Sequence, residues 1–307
     1  MGKKILLIGS SNIDLVANTY KIPEPGETVF DDGGLAYIPG GRGTNAALAL
    51  KALSAEPRLL TKLGADSHGK TLFEYYKDSS LDTSLVKVDR QNTTGFTLVL
   101  KDGHGATRKI CYRGANLNLS RDNVIDAFSA RPDALMLGFD ASFETTLLAS
   151  EIAAEKKIPI FLNGDGAESD FNLEALPEIE IFSVNEKDAL RLTGIKPLGA
   201  DNALRVCLAL CRRVRAKLVV LRLSERGAFV YDGRYHFVTP AFPVSEAVDT
   251  TLADDAFFAA LSLIYLETGD VRASTRFACS LYAMTLSCGS FVTREENMSN
   301  LNKYPTI

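Results

Sequence analysis

A glycine-rich segment, Pro39-Gly-Gly-Arg-Gly-Thr-Asn45, runs directly into the helical pattern that begins at Ala46. Glycines at a loop-to-helix junction let a ligand approach backbone N–H groups that side chains would otherwise shield. Asn45 offers both a donor and an acceptor from the first helical turn, which suits a hydroxyl-bearing ligand. The spacing does not fit the dinucleotide fingerprint. The segment therefore predicts either a small-ligand site or a plain turn.

Two further segments place carboxylates where a ligand could meet them. Ser10-Ser-Asn-Ile-Asp14 follows a predicted strand, and ligands of open α/β sheets bind at the carboxyl ends of strands. Asp14 could accept two sugar hydroxyls or cap a turn. Asp249-Thr-Thr-Leu-Ala-Asp-Asp255 precedes an apolar helix, where an acidic residue is ordinarily a cap.

The elements that must position these residues alternate between short β-rich runs and longer helical patterns. This alternation predicts a mostly parallel sheet with helices on both faces. The predicted central strands are nearly continuous apolar runs: 4–9, 134–138, 158–163, 179–184 and 217–222. The predicted helices cover 44–53, 143–156, 203–215 and 255–266.

Two extended stretches, 15–38 and 95–113, interrupt the alternation and have no helix to cover them. The second contains Asp102-Gly103-His104-Gly105, a strong hairpin turn signal. A small antiparallel sheet that stands off the main domain accounts for both stretches. Its apolar face needs a ligand, the main domain or another subunit to cover it.

Composition excludes several classes of function. With 46% apolar and 23% charged residues among 307, the chain can bury a sizeable core. A net charge of −4 gives no general attraction to nucleic acid. No apolar run approaches the roughly 20 residues that span a bilayer, so we expect a cytoplasmic protein with no membrane partner. Five cysteines lack metal-ligand spacing, and Cys207 and Cys211 fit a buried helical seam.

Nine segments in register resemble landmarks of the ribokinase, or PfkB, family of carbohydrate kinases, over residues 3 to about 296. They are Gly9 to Asp14, Pro25-Gly-Glu-Thr28, Gly40 to Asn45, Lys62 to Gly69, Thr94-Gly95, Gly114-Ala-Asn116, Val184-Asn-Glu186, Glu225-Arg-Gly227 and Asp249 to Phe257.

This resemblance implies a Rossmann-like αβα sandwich with a small β-sheet lid. The αβα domain would cover 1–14, 39–94 and 114–307, and the lid, inserted into it, 15–38 and 95–113. The resemblance also implies ATP with Mg²⁺ as co-substrate, a sugar or nucleoside acceptor phosphorylated on a primary hydroxyl, and a homodimer formed through the lid.

Site residues follow from the same resemblance. Asp255 falls at the position of the general base. The sugar-contacting positions are Asn12, Asp14, Gly41, Asn45 and Asp140. The nucleotide and phosphate positions are Asn185, Asp188, Arg222, Ser224, Gly227, Leu252, Ala253 and Asp254. Asp249, Thr251 and Ser290 match a monovalent-cation site, with K⁺ as the expected ion.

The chain departs from the family pattern mainly on the phosphate side. Leu252 and Asp254 replace the two glycines of Asp-Thr-x-Gly-Ala-Gly-Asp, whose N–H groups face the γ-phosphate. Leu252 puts four carbons into that space, and it costs roughly 1–2 kcal/mol as well if the backbone there is left-handed. A charge on Asp254 about 4 Å from a phosphate oxygen would be repelled by roughly 4 kcal/mol at an effective dielectric near 20. Arg222 and Ser224 likewise replace a Thr and a Gly, and Asn163-Gly-Asp-Gly replaces a proline-rich stretch.

Two hypotheses about function therefore stand side by side. In the first, the chain is an active ATP-dependent kinase of a pentose or related sugar or nucleoside, with Asp255 as base. In the second, it binds a sugar or nucleoside but transfers phosphate poorly, and has a regulatory or structural role.

Overall fold

The structure is a computed structural model that describes residues 2–103, 107–244 and 251–304. In chain order, its strands are β1 (Lys4–Ile8), β2 (Asn12–Thr19), β3 (Leu35–Gly40), β4 (Glu56–Gly64), β5 (Val86–Asp89), β6 (Gly95–Asp102), β7 (Thr107–Tyr112), β8 (Ala134–Leu137), β9 (Ile160–Asn163), β10 (Ile179–Asn185), β11 (Ala216–Arg222), β12 (Ala228–Tyr231) and β13 (His236–Thr239). The α-helices are α1 (Arg42–Ala52), α2 (Ser67–Asp78), α3 (Arg121–Ala127), α4 (Phe143–Glu155), α5 (Glu186–Thr193), α6 (Ala200–Cys211), α7 (Thr251–Thr268), α8 (Val271–Cys288) and α9 (Arg294–Lys303).

The apolar runs form the centre of a large sheet. In the described chain this sheet has nine strands in the order β13-β12-β11-β10-β9-β8-β1-β4-β5. The strands from β11 to β5 pair in parallel, whereas β12 and β13 add an antiparallel edge. The prediction of an α/β fold with a mostly parallel sheet is confirmed, and every predicted central strand is present.

Alternating side chains divide the core into two layers. Ile5 and Leu7 of β1 pack on the layer formed with α1, α2, α7 and α8, whereas Leu6 and Ile8 pack on the opposite layer with α3 to α6. Both faces of the sheet are thus covered, which explains why its strands are apolar at nearly every position.

A smaller sheet has the order β3-β2-β6-β7. The prediction of an antiparallel sheet is wrong for its central pair, because β2 and β6 pair in parallel. The outer strands β3 and β7 pair antiparallel to them. β6 and β7 form the predicted hairpin, whose turn residues His104 and Gly105 lie outside the described residues. Asn12 and Gly40 belong to the small sheet. The chain passes from the large sheet to the small one within a few residues of the end of β1.

The start of α7 differs from the prediction. The helix begins at Thr251 rather than at Asp255, so Leu252 to Asp254 lie in its first turn. Leu252 and Asp254 favour helix over the glycines that the family pattern would place at these two positions, by up to about 1 kcal/mol per residue. Leu252 is not among the described residues with positive φ, so the expected left-handed strain is absent.

Candidate functional site

A cleft of about 1350 Å³ opens where the carboxyl ends of the parallel strands meet. Ile8 of β1 is level with Leu137 of β8, and Asn185 of β10 is level with Arg222 of β11. The segments that follow these strands therefore converge. The chain order reverses at β1, which lies between β8 and β4, and such a switch point is the usual ligand site of open α/β sheets.

Asp255 lies in the wall of this cleft, one turn into α7. Its side chain is buried, and its Oδ2 accepts a hydrogen bond from Asn45 Nδ2 at 2.9 Å. Burial raises the pKa of Asp255 to about 7, against the opposing influence of Arg42 and of the Asn45 hydrogen bond. A carboxyl group that titrates near neutral pH can accept a proton from a hydroxyl, as a general base does.

The glycine-rich segment positions Asn45 and Arg42 through close packing. Gly41 precedes α1 with φ of 96°, and a Cβ on it would lie 2.6 Å from the Ser10 carbonyl oxygen. Only glycine fits such a position. The backbone of Thr44 donates to the same carbonyl, at 3.2 Å, which fixes the start of α1 against the chain that leaves β1.

All of the residues predicted to contact the sugar line the cleft. Asp14, Gly41, Asn45 and Asp140 line the cleft, and Asp140 Oδ2 accepts from the backbone N–H of Ser10 at 2.5 Å. Asn12 also lines the cleft, but its amide is engaged by protein. Its Oδ1 accepts from Asn116 Nδ2 at 2.9 Å, and its Nδ2 donates to Thr97 at 3.3 Å.

On the phosphate side, Asn185 caps α5 by accepting from the backbone N–H of Asp188 at 2.9 Å. Asp188 is not part of the cleft lining. Its carboxylate pairs with Arg191 at 2.7 Å and accepts from Asn185 Nδ2 at 2.9 Å and from the Gly166 N–H at 3.2 Å.

Arg222 ends β11 and is 4% exposed. Its Nη2 contacts Asp165 Oδ2, and its Nε lies 3.5 Å from Asp254 Oδ1. The arginines Arg222 and Arg42 both lower the pKa of the buried Asp165, against the upward effect of its burial. The side chain of Asp254, in contrast, is 45% exposed, within the cleft.

The remaining residues predicted to bind nucleotide or phosphate differ in exposure. Leu252 is partly buried and Ala253 fully buried, and neither lines the cleft, so the Leu252 side chain does not fill the cleft as the sequence suggested. Ser224 and Gly227 do line it. Ser224 has φ of 51°, a left-handed conformation that glycine adopts at lower cost.

The implied metal ions find little support in the described side chains. No group of three or more His, Cys, Asp or Glu in the described ranges is arranged to hold a metal. The Asp188 carboxylate pairs with Arg191, accepts from Asn185 and Gly166, and does not line the cleft. Of the K⁺ candidates, Asp249 and the side chain of Thr251 lie outside what the structure describes. Ser290 is exposed, and its hydroxyl lies 3.3 Å from Cys288 Sγ.

Arg42 and Asp165 also line the cleft, although they were not among the residues predicted from the sequence. The Arg42 Nη1 group donates to the Asp165 carbonyl at 2.5 Å, which joins α1 to the end of β9. The sequence contained a hint of both residues, because Arg42 lies inside the glycine-rich segment and Asp165 follows a predicted strand. Their pairing joins positions 123 residues apart, a separation that local patterns do not encode.

Comparisons with known proteins agree with this geometry. The model of the pfkB family carbohydrate kinases matches residues 2–297. A ribokinase of Haemophilus influenzae is 28% identical over 308 residues, which cover 98% of this chain and 99% of that protein. A bifunctional ribokinase/ribose-5-phosphate isomerase A of Fructilactobacillus sanfranciscensis is also 28% identical over 308 residues, and this chain spans about half (56%) of its length.

Among solved structures, the Arabidopsis thaliana ribokinase complexed with ribose and ATP superposes with a TM-score of 0.86. It is 23% identical, and the match covers 98% of this chain and 99% of that one. The fold and cleft thus define an α/β protein of the ribokinase-like class, with a second small sheet beside the ligand cleft. The chain belongs to the PfkB family of carbohydrate kinases. In the described part of the chain, no helix has the length and apolar character needed to cross a membrane.

Proposed function

We propose that this chain is an ATP-dependent kinase that transfers a phosphoryl group to a primary hydroxyl of a pentose or a related sugar or nucleoside. The observation that carries the proposal is Asp255, a buried carboxyl group with a pKa of about 7 in the wall of the cleft. Asp14, Asn45 and Asp140 line the same cleft and supply hydroxyl-binding groups, and Arg222 supplies a cation there.

The proposed reaction is a direct displacement. Asp255 accepts the proton of the acceptor hydroxyl while that oxygen forms a bond to the γ-phosphorus of ATP. The bond between the γ-phosphorus and the bridging oxygen breaks, and ADP leaves with that oxygen. The proton on Asp255 then passes to solvent. The hydrogen bond from Asn45 holds the carboxyl group in place during this transfer. ATP would bring Mg²⁺ on its phosphates, where the ion would offset negative charge during the transfer.

Asn45 also tunes the proposed base. Its amide donates to Oδ2, which favours the ionised form of Asp255, and Arg42 favours that form as well. Burial acts in the opposite direction and is the larger influence. The result is a base that is substantially ionised at neutral pH and still strong enough to accept a proton.

The test is a panel of acceptors. We expect wild-type protein to release ADP from Mg-ATP in the presence of at least one pentose, hexose or nucleoside, and to bind that acceptor in calorimetry. Asp255→Asn should bind the same acceptor with similar affinity but release ADP about 10²–10⁴ times more slowly. Tight acceptor binding without turnover in wild type would instead support the second hypothesis, a protein that binds a sugar or nucleoside but does not transfer phosphate. The loss of both glycines near Asp255 favours that hypothesis.

We further propose a homodimer that forms through the small sheet. Its outer strands expose Leu35, Tyr37, Ile110 and Tyr112, at 60%, 59%, 53% and 62%. Contiguous apolar side chains of this kind mark interaction surfaces. A second copy of the chain could cover them on both molecules at once.

A further inference from the structure

The guanidinium group of Arg222 is incompletely satisfied. Arg222 is 4% exposed and lines the cleft, and its Nη2 is taken by Asp165. Its Nε and Nη1 atoms are buried and have no hydrogen-bond partner among the residues that the structure describes. Buried donors in folded proteins are nearly always paired, so this arrangement points to an acceptor that a ligand brings.

Three neighbours determine where such a ligand could lie. Asp165, also buried, fixes one edge of the guanidinium. The ring of Phe257 lies 5.9 Å from Cζ. Asp254 is 3.5 Å from Nε, and its side chain is 45% exposed, so it can turn toward solvent while Arg222 stays in place.

We propose that Arg222 forms a side-chain anion site, in which Nη1 donates to a phosphoryl oxygen of the nucleotide and Asp254 is the counterion of Arg222 when no nucleotide is bound. This inference rests on the proposed kinase function and deepens it. The pair Arg222 and Asp254 then takes the place of the backbone N–H groups that glycines would expose at the start of α7. Guanidinium groups suit this role, because their planar donors match phosphate oxygens.

The pairing also explains why both replacements occur together. Asp254 alone would repel a phosphate in the cleft, whereas Asp254 beside a fixed cation is offset by it. Arg222 without Asp254 would lose the carboxylate beside its Nε, because Asp165 contacts only Nη2. If Arg222 were only the counterion of buried Asp165, its loss would change stability and leave phosphate affinity unchanged.

The test measures binding of inorganic pyrophosphate, ADP and adenosine by calorimetry. Arg222→Thr alone leaves buried Asp165 with Arg42 as its remaining nearby cation. Arg222→Thr/Asp165→Asn is therefore the second variant, because it also removes the buried charge that Arg222 balanced. We expect both variants to bind ADP and pyrophosphate about 10–100-fold more weakly than wild type, as expected for one lost charge-assisted hydrogen bond. Adenosine, which lacks phosphate, should bind equally well.

Two further variants sharpen the result. Asp254→Asn removes the competing carboxylate and should tighten pyrophosphate binding several-fold, and weaker binding would contradict its role as counterion. Arg294→Thr is the matched control, because Arg294 pairs with Glu267 at 2.8 Å but does not line the cleft. Its ADP affinity should equal that of wild type.

Affinities for ADP and pyrophosphate within about threefold of wild type in Arg222→Thr/Asp165→Asn would overturn the anion site and leave the kinase proposal standing. Wild-type protein that binds neither ADP nor pyrophosphate would overturn both.

Discussion

At the scale of single residues, the Asp255 carboxyl group has two properties that a proton acceptor needs. It is buried in the wall of the cleft, and the Asn45 amide holds it by a hydrogen bond. Because burial disfavours the charged form, the pKa of Asp255 rises from the ordinary 3.8 to about 7. The same shift makes Asp255 a measurable source of instability at neutral and alkaline pH.

Between pH 3.8 and about pH 7 the folded chain holds the Asp255 proton and the unfolded chain does not. Wild-type stability then falls as pH rises, by about 1.4 kcal/mol per unit from this group alone. Asp255→Asn removes the effect. We therefore expect the variant, compared with wild type, to gain about 2–3 kcal/mol between pH 5 and pH 7 in urea denaturation. A stability difference that does not change with pH would show that Asp255 titrates at an ordinary pKa.

Ser224 supplies a second prediction at this scale. Its φ of 51° is left-handed, which costs a non-glycine residue about 1–2 kcal/mol, whereas glycine loses more backbone entropy on folding. We expect Ser224→Gly to raise the free energy of unfolding by about 0.5–1 kcal/mol.

The matched control is Ser80→Gly, at an exposed position with φ of 52°. A similar gain at both sites would mean that only backbone strain is relieved. Destabilisation by Ser224→Gly alone would show that the Ser224 side chain makes a contact in the cleft that outweighs its strain.

At the scale of elements, the altered motif Asp249 to Asp255 differs from its prediction in the first turn of α7. The sequence suggested a loop from Asp249 with a helix from Asp255, but Leu252 to Asp254 are helical. Leu252→Gly/Asp254→Gly should lower the free energy of unfolding by about 1–2 kcal/mol, because glycine is a poor helix former. Hydrogen exchange should increase in the first turn of α7.

Leu252→Ala/Asp254→Ala is the control, since alanine keeps the helix, and its exchange should resemble that of wild type. Equal exchange in the glycine and alanine variants would contradict the helical start of α7.

The sequence predicted the central strands well, because strands buried on both faces are apolar at almost every position and leave a clear signal. It also predicted Asp14, Asn45 and Asp255 as site residues, and all three line the cleft, near the starts of β2, α1 and α7. It missed the pairing of Arg42 and Arg222 with Asp165, because each contact joins segments more than 50 residues apart. It also placed Leu252 in the phosphate space, because a family motif gives residue order but not side-chain direction.

At the scale of the whole molecule, the small sheet covers one side of the cleft and carries exposed apolar strands. We expect a homodimer by light scattering after gel filtration. Leu35→Glu/Ile110→Glu should give a monomer of about half the mass, because charge in the centre of an apolar interface is unfavourable. Leu198→Glu, an exposed residue outside this sheet, is the control and should stay dimeric. A monomeric wild type would contradict the proposed dimer.

The two sheets also explain how one chain can bring a sugar and a nucleotide together. The residues proposed to bind sugar follow β1 and β8 or belong to β2 and α1, whereas Arg222 and Asn185 end strands on the other side of β9. Asp255, in α7, accepts a hydrogen bond from Asn45, and its neighbour Asp254 pairs with Arg222. The proposed proton acceptor thus lies next to members of both groups.

The most direct test of this account follows phosphorus through the reaction. Wild-type protein, Mg-ATP and each acceptor of the panel are incubated, and ³¹P NMR records the products. We predict equal growth of ADP and of a sugar or nucleoside monophosphate ester signal with at least one acceptor, slower by about 10²–10⁴ in Asp255→Asn. Ester formation at the same rate in Asp255→Asn, or none in wild type with any acceptor, would contradict the central claim.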